Sequence, residues 1–163
     1  MKQPPDTRCL VLACGNTLRS DDGVGPWLAE WAEERFSANS AVRVISRQQW
    51  TPELAEEIAH ASSVLFIDCS VDSTPGSVKL TPVEASPVAQ GLGTHHLGAA
   101  KLLALSRDLY DSLPPPAELL TIGAGSIELG EVFSEAVTAA LPSACRLIEE
   151  TVLQMLNQSS QRK

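Results

Sequence analysis

Arg8-Cys9-Leu10-Val11-Leu12-Ala13 is an apolar run of strand length that stops at Gly15 and Asn16. A polar connection follows, Gly15-Asn16-Thr17-Leu18-Arg19-Ser20-Asp21-Asp22-Gly23. From Val24 the period becomes helical. Val24, Trp27, Leu28 and Trp31, with Arg35 beyond, share one face, and Glu30, Glu33 and Glu34 lie away from it. A buried strand, a tight loop and an amphipathic helix in that order open an α/β unit.

The pattern then repeats. Val42 to Ser46 reads as a strand, and Thr51-Pro52 opens a helix through about His60, Thr as cap and Pro at the first helical position. Ser63 to Asp68 (SVLFID) is the clearest strand and ends in a carboxylate. Ser70 to Gly93 is rich in Ser, Thr, Pro and Gly, with a short strand expected at Ser77 to Leu80. Thr94 is placed to cap a long helix through Tyr110, and Pro114 to Pro116 end that unit. Leu119 to Ile122 is the last strand, before Gly123 and Gly125. Phe133, Val137, Ala140, Leu141, Ala144, Ile148, Val152 and Met155 then keep helical spacing. Pro142 interrupts that series, which predicts a short helix and then a long one, or a kink. Residues 1–6 and 157–163 read as loose polar tails. The expectation is one α/β domain: a mostly parallel twisted sheet of about five strands with helices on both faces.

Length and composition agree. A chain of 163 residues is one domain, and it hides roughly 70% of its unfolded surface. With 44% hydrophobic and 20% charged residues it is not a disordered chain. Twelve Lys and Arg against 20 Asp and Glu leave a net charge of −8 with no basic run, which argues against a nucleic-acid partner. No apolar stretch reaches bilayer length, and Met1 to Asp6 carries Pro4 and Pro5 rather than a signal peptide. Cys9, Cys14, Cys69 and Cys145 lack C-x-x-C spacing and read as reduced thiols, so a cytoplasmic protein without membrane attachment is expected.

In open α/β sheets, function gathers outside the carboxyl ends of the strands. The loop with Asp21 and Asp22, Asp68 at the end of its strand, and His95 with His96 beside it all fall there. Two carboxylates and an imidazole at one sheet edge suit a borderline divalent metal, or the activation of a water. Each group also has a plainer role. Asp21 and Asp22 stand where acidic residues cap a helix, Asp68 could close a loop, and a histidine at a helix start is commonly a surface residue. Neither G-x-G-x-x-G, a Walker pattern nor G-x-S-x-G is present. Cys14 and Cys69 flank the same region, but the nearby carboxylates would raise a thiol pKa, so all four cysteines read better as small buried hydrophobes.

Gly15-Asn16-x-Leu18-x-x-Asp21-Asp22-x-x-Gly25 resembles the signature of the hydrogenase maturation endopeptidases. The similarity continues through Ile67-Asp68, Thr94-His95-x-Leu97-Gly98 and the late Gly123 strand, and so covers nearly the whole chain in order. The resemblance implies a protease that trims a C-terminal peptide from the nickel-loaded precursor of a [NiFe]-hydrogenase large subunit. It implies Asp22, Asp68 and His95 as the metal-contacting trio, with Asp22 and Asp68 catalytic in an aspartyl-type endopeptidase and His96 at a variable position. Asp22 stands where some members have Glu, which would tighten the site by roughly one carbon–carbon bond. The turn after the second strand departs from the common Asp-Gly-Gly-Thr-like form. Here it is Arg47-Gln48-Gln49-Trp50-Thr51-Pro52-Glu53-Leu54, which looks more like the branch serving bidirectional, NAD(P)-linked hydrogenases.

On this reading the only cofactor is nickel carried by the substrate, with no organic cofactor, and the protein is a monomer whose partner is the precursor. Nickel would act as a specificity check, since an unloaded precursor would bind poorly. Attack by water helped by a carboxylate and attack by a metal-bound water are both open. A non-catalytic nickel-binding assembly chaperone using the same site is the alternative, and a small hydrolase with an ordinary substrate is a third.

Overall fold

The computed structural model describes residues 7–87 and 98–161. Five strands form one sheet: β1 (Cys9–Cys14), β2 (Val42–Arg47), β3 (Val64–Ser70), β4 (Val78–Val83) and β5 (Ala117–Gly123), in the order β2-β1-β3-β5-β4. All pairings are parallel except β4 with β5, so the sheet is mostly parallel with one antiparallel edge. Four helices cover it: α1 (Val24–Arg35), α2 (Leu54–Ala59), α3 (Ala99–Tyr110) and α4 (Glu135–Gln161). The expected α/β domain is the observed one.

Alternation along the strands creates two cores. Cys9, Val11 and Ala13 of β1 and Leu65 and Ile67 of β3 meet α1 and α4 on one face. Leu10, Leu12 and Cys14, with Val64 and Phe66, meet α2 and α3 on the other. Because both faces are covered, the central strands read as continuous apolar runs, and every residue of β1 is buried. The edge strand β2 is largely half-exposed instead.

Five expectations need correction. The helix expected from Thr94 begins only at Ala99, with an extended Gly98 in its cap position, and Thr94 lies outside the described residues. The helix after Pro52 starts only at Leu54, with Glu53 as its cap position. Pro142 does not divide the last helix, because α4 runs unbroken for 27 residues around it. It also continues to Gln161, past Asn157, where a loose tail was expected. Trp27, assigned to the buried face of α1, is 39% exposed; Ala29 and Ala32 pack there instead. Among the described residues no helix is long and apolar enough to cross a membrane.

Candidate active site

The strand order reverses between β1 and β3. From β1 the chain passes through α1 to β2 on one side, and it then returns to β3 on the other. Loops leaving the carboxyl ends of such neighbouring strands diverge and leave a crevice, the usual place for a ligand in this architecture. Asp22 follows β1 and Asp68 stands near the end of β3, so both carboxylates flank this switch point.

The Asp22 loop is held by close backbone contacts. A Cβ at Gly15 would stand 1.9 Å from the Asp22 carbonyl oxygen, and one at Gly25 would stand 2.2 Å from the carbonyl oxygen of Cys14. Only glycine lets the first turn of α1 settle on the end of β1. Between them, the Asn16 N–H donates to Oδ2 of Asp22 at 2.8 Å, and the Leu18 N–H donates to Oδ1 of Asn16 at 3.0 Å. Ser20 adopts a left-handed backbone with φ 49°, a conformation that costs a side-chain-bearing residue about 1–2 kcal/mol. Its N–H donates to the Gly130 carbonyl and its hydroxyl to the Glu128 carbonyl, both at 2.7 Å, which holds the turn.

The two adjacent aspartates have different roles. Asp21 is fully buried and caps neither its own 3-10 turn (Ser20–Gly23) nor α1. Its carboxylate instead accepts the Gly125, Ser126 and Ser134 N–H groups at 2.7, 2.9 and 2.8 Å, and the Ser134 hydroxyl at 2.7 Å. Burial raises the Asp21 carboxyl, but the hydrogen bonds, led by the Ser134 hydroxyl, outweigh it and hold the group below the usual carboxylate range. Asp22 is half-buried and accepts the Asn16 N–H within its own loop, and its charge acts on the Cys14 and Cys69 thiols.

Asp68 accepts the Cys14 thiol at 3.3 Å and the Cys69 N–H at 2.8 Å. It belongs to the face of β3 that carries Val64 and Phe66, the layer to which Ala99 of α3 also belongs. Burial, then the charge of Asp68 and its hydrogen bond, then Asp22, push the Cys14 thiol far up. Burial and then the charges of Asp22, Asp68 and Asp21 push Cys69 up to about 12. Both are neutral thiols at neutral pH and poor nucleophiles. Cys14 is therefore more than a small buried hydrophobe, since it is a hydrogen-bond donor to a site carboxylate.

His95 and His96 lie outside the described residues. Among the described residues no three His, Cys, Asp or Glu side chains converge in a metal-binding group, so the described part of the expected trio is the pair Asp22 and Asp68. The turn Arg47 to Leu54 is exposed except for Trp50 and Leu54; Trp50 is core, edge-on to Phe66 with ring centroids 5.1 Å apart. Sequence reasoning missed Ser134 and the 124–134 loop as the support of the site. Ser134 directly before the helical run from Glu135 is a capping signal that could have pointed there.

A five-stranded, mostly parallel sheet with carboxylates near the carboxyl ends of the two strands at its switch point defines an open α/β protein, and comparison narrows it. No family model matches the chain. The hydrogenase expression/formation protein HoxM of Azotobacter vinelandii is 30% identical over 149 residues, covering 86% of this chain and 70% of that protein. The hydrogenase 2 maturation protease of Escherichia coli is 27% identical over 104 residues, or 61% of this chain and 63% of that protein. The solved structure of the E. coli hydrogenase maturating endopeptidase HybD superposes with a TM-score of 0.72 at 24% identity, covering 93% of both chains. The chain belongs to the hydrogenase maturation protease family, and it is an endopeptidase of that family.

Proposed function

We propose that this endopeptidase removes a C-terminal peptide from the nickel-loaded precursor of a [NiFe]-hydrogenase large subunit. Asp22, Asp68 and His95 are the residues that recognise the substrate's nickel, and Asp22 and Asp68 are the catalytic groups. The observation that carries this reading is the position of Asp22 in the turn after β1 and of Asp68 near the end of β3, the two strands at the switch point, with the charges of both acting on Cys14. Two carboxylate oxygens and an imidazole nitrogen make a donor set suited to a borderline divalent ion. A metal presented by the substrate anchors the precursor and brings one peptide bond beside the carboxylates, whereas nickel-free precursor lacks the anchor. With Cys14 and Cys69 held as neutral thiols, attack on the scissile carbonyl falls to water, and a crevice carboxylate is placed to take its proton. Four free cysteines agree with a reducing cytoplasm.

The test is the intact mass of nickel-loaded precursor after incubation with the wild-type protein, Asp22→Asn, Asp68→Asn and His95→Ala. Loss of a C-terminal peptide only with wild type, and only from nickel-loaded precursor, is the expected result. A stable complex of unchanged mass would replace the protease by a nickel-dependent chaperone. Trimming by Asp22→Asn at the wild-type rate would remove that residue from the mechanism.

A further inference from the structure

The site is bordered by an apolar ribbon that the fold leaves in water. Among the described residues ten large apolar side chains are exposed, and five of them are Leu18, Trp27, Ile127, Leu129 and Val132. Leu18 belongs to the loop that carries Asp22. The other three aliphatic residues belong to the 124–134 loop, which is bound to that same loop. The Gly130 N–H donates to the Leu18 carbonyl at 2.9 Å, and the Arg19 guanidinium donates to the Ile127 carbonyl at 3.4 Å. With the two Ser20 bonds and the Asp21 cluster, these contacts fix both loops as one rigid element. Trp27 joins the same element through Phe133, ring centroids 6.5 Å apart and close to perpendicular. A methyl group added at Gly23 would stand 3.7 Å from the Phe133 ring, so Phe133 lies close to the residue after Asp22.

Leu129 is 86% exposed and Val132 81%. Single exposed apolar residues need no explanation, but an apolar group on a rigid frame at the edge of a site marks a surface that another molecule covers. Such a frame is already ordered, so little conformational entropy is lost on docking. Exposed Glu128 and Glu131 alternate with these apolar residues, so the ribbon is apolar with an acidic edge.

We propose that this ribbon is the docking surface for the folded body of the precursor, an apolar patch beside its metal centre, and that it acts separately from the residues that meet the metal. The occupant follows from continuity: Leu18 stands four residues before Asp22 on the same loop, and the Gly130 N–H binds its carbonyl, so a protein that brings its metal and scissile bond to Asp22 comes against this element. This inference rests on the reading under Proposed function.

The experiment compares wild type with the double variant Leu129→Ser/Val132→Ser and with Leu113→Ser, which removes a side chain 91% exposed on the segment before β5, remote from the crevice. Steady-state cleavage of nickel-loaded precursor should show KM raised about tenfold in the double variant. Its kcat should remain near wild type, and Leu113→Ser should be unchanged. In an Asp22→Asn background, the same pair of substitutions should weaken the uncleaved complex by a similar factor. Should the double variant melt below wild type, Leu129→Ser alone carries the comparison. Wild-type cleavage with an unaltered KM in the ribbon variants would overturn the docking surface and leave the protease intact. A wild-type dimer that the ribbon variants convert to monomer, again with unaltered KM, would assign the ribbon to self-association and overturn the proposal. Wild type that neither cleaves nor binds the precursor would remove both readings.

Discussion

The carboxylate of Asp21 takes both the N–H and the hydroxyl of Ser134, 113 residues later in the chain, at 2.8 and 2.7 Å. Ser134 in turn accepts the Val137 N–H at 3.4 Å and caps α4. The acidic pair after β1 thus serves the positive end of a helix, but the helix is α4 rather than α1. One aspartate locks the last helix to the site loop, while its neighbour bonds within that loop and acts by its charge on Cys14 and Cys69.

Asp21→Asn should therefore cost stability, by about 3 kcal/mol, because an amide turns a donor toward N–H groups that need an acceptor. The sign with pH follows from the lowered carboxyl. The contribution of Asp21 is complete above its unfolded value, roughly pH 4, and is lost as pH falls through the lower folded value. Denaturant unfolding of both proteins should show the full gap at pH 7 and a shrinking one in acid. A constant gap down to pH 2 would contradict the assignment.

Gly25 meets backbone on its open side, and backbone cannot rotate away. Gly25→Ala should shift α1 off the end of β1, lower stability by about 2 kcal/mol and displace Asp22. Thermal melting several degrees below wild type, with slowed precursor cleavage, is the expected pair of results. An unchanged melting curve would mean that the α1–β1 contact is looser than it looks.

The central strands and the position of Asp22 and Asp68 were legible because both rest on local signals. RCLVLA and VLFID are buried on two faces, so they are apolar without interruption, and their strand ends fix where a carboxylate can stand. What the chain hides is long-range. No local pattern distinguishes Asp21 from Asp22, since the groups that claim Asp21 stand more than 100 residues away. The exposure of Trp27 is of the same kind: helical spacing alone placed it inward, whereas its ring lies against Phe133 of the distant loop. The split that Pro142 suggested is absent for the opposite reason, because a local breaker was overridden by the packing of Val137, Ala144 and Ile148 on either side of it.

That override leaves a measurable cost. Pro142 is exposed and lies eight residues into α4, where it donates nothing to the Thr138 carbonyl. Pro142→Ala should restore the missing hydrogen bond and raise stability by about 1–3 kcal/mol without touching the crevice. Chemical denaturation should show a higher midpoint with an unchanged slope. A lower midpoint would mean that the helix depends on the proline.

The Cys14 thiol reaches Asp68 from the end of the neighbouring strand and orients its Oδ1 by donating to it. Serine carries the same kind of donor on a shorter bond, so Cys14→Ser should keep cleavage within about threefold of wild type, whereas a nucleophilic thiol would make the loss near total. Burial first, and then Asp68, raise the thiol far above neutral pH. Iodoacetamide at pH 7.5 should accordingly leave Cys14 unlabelled in the folded protein and label it once the chain is unfolded in urea. Rapid labelling in the native state, joined to loss of cleavage in Cys14→Ser, would transfer the chemistry from the carboxylates to the thiol. Slow labelling with activity retained would leave Cys14 as a positioning residue for Asp68.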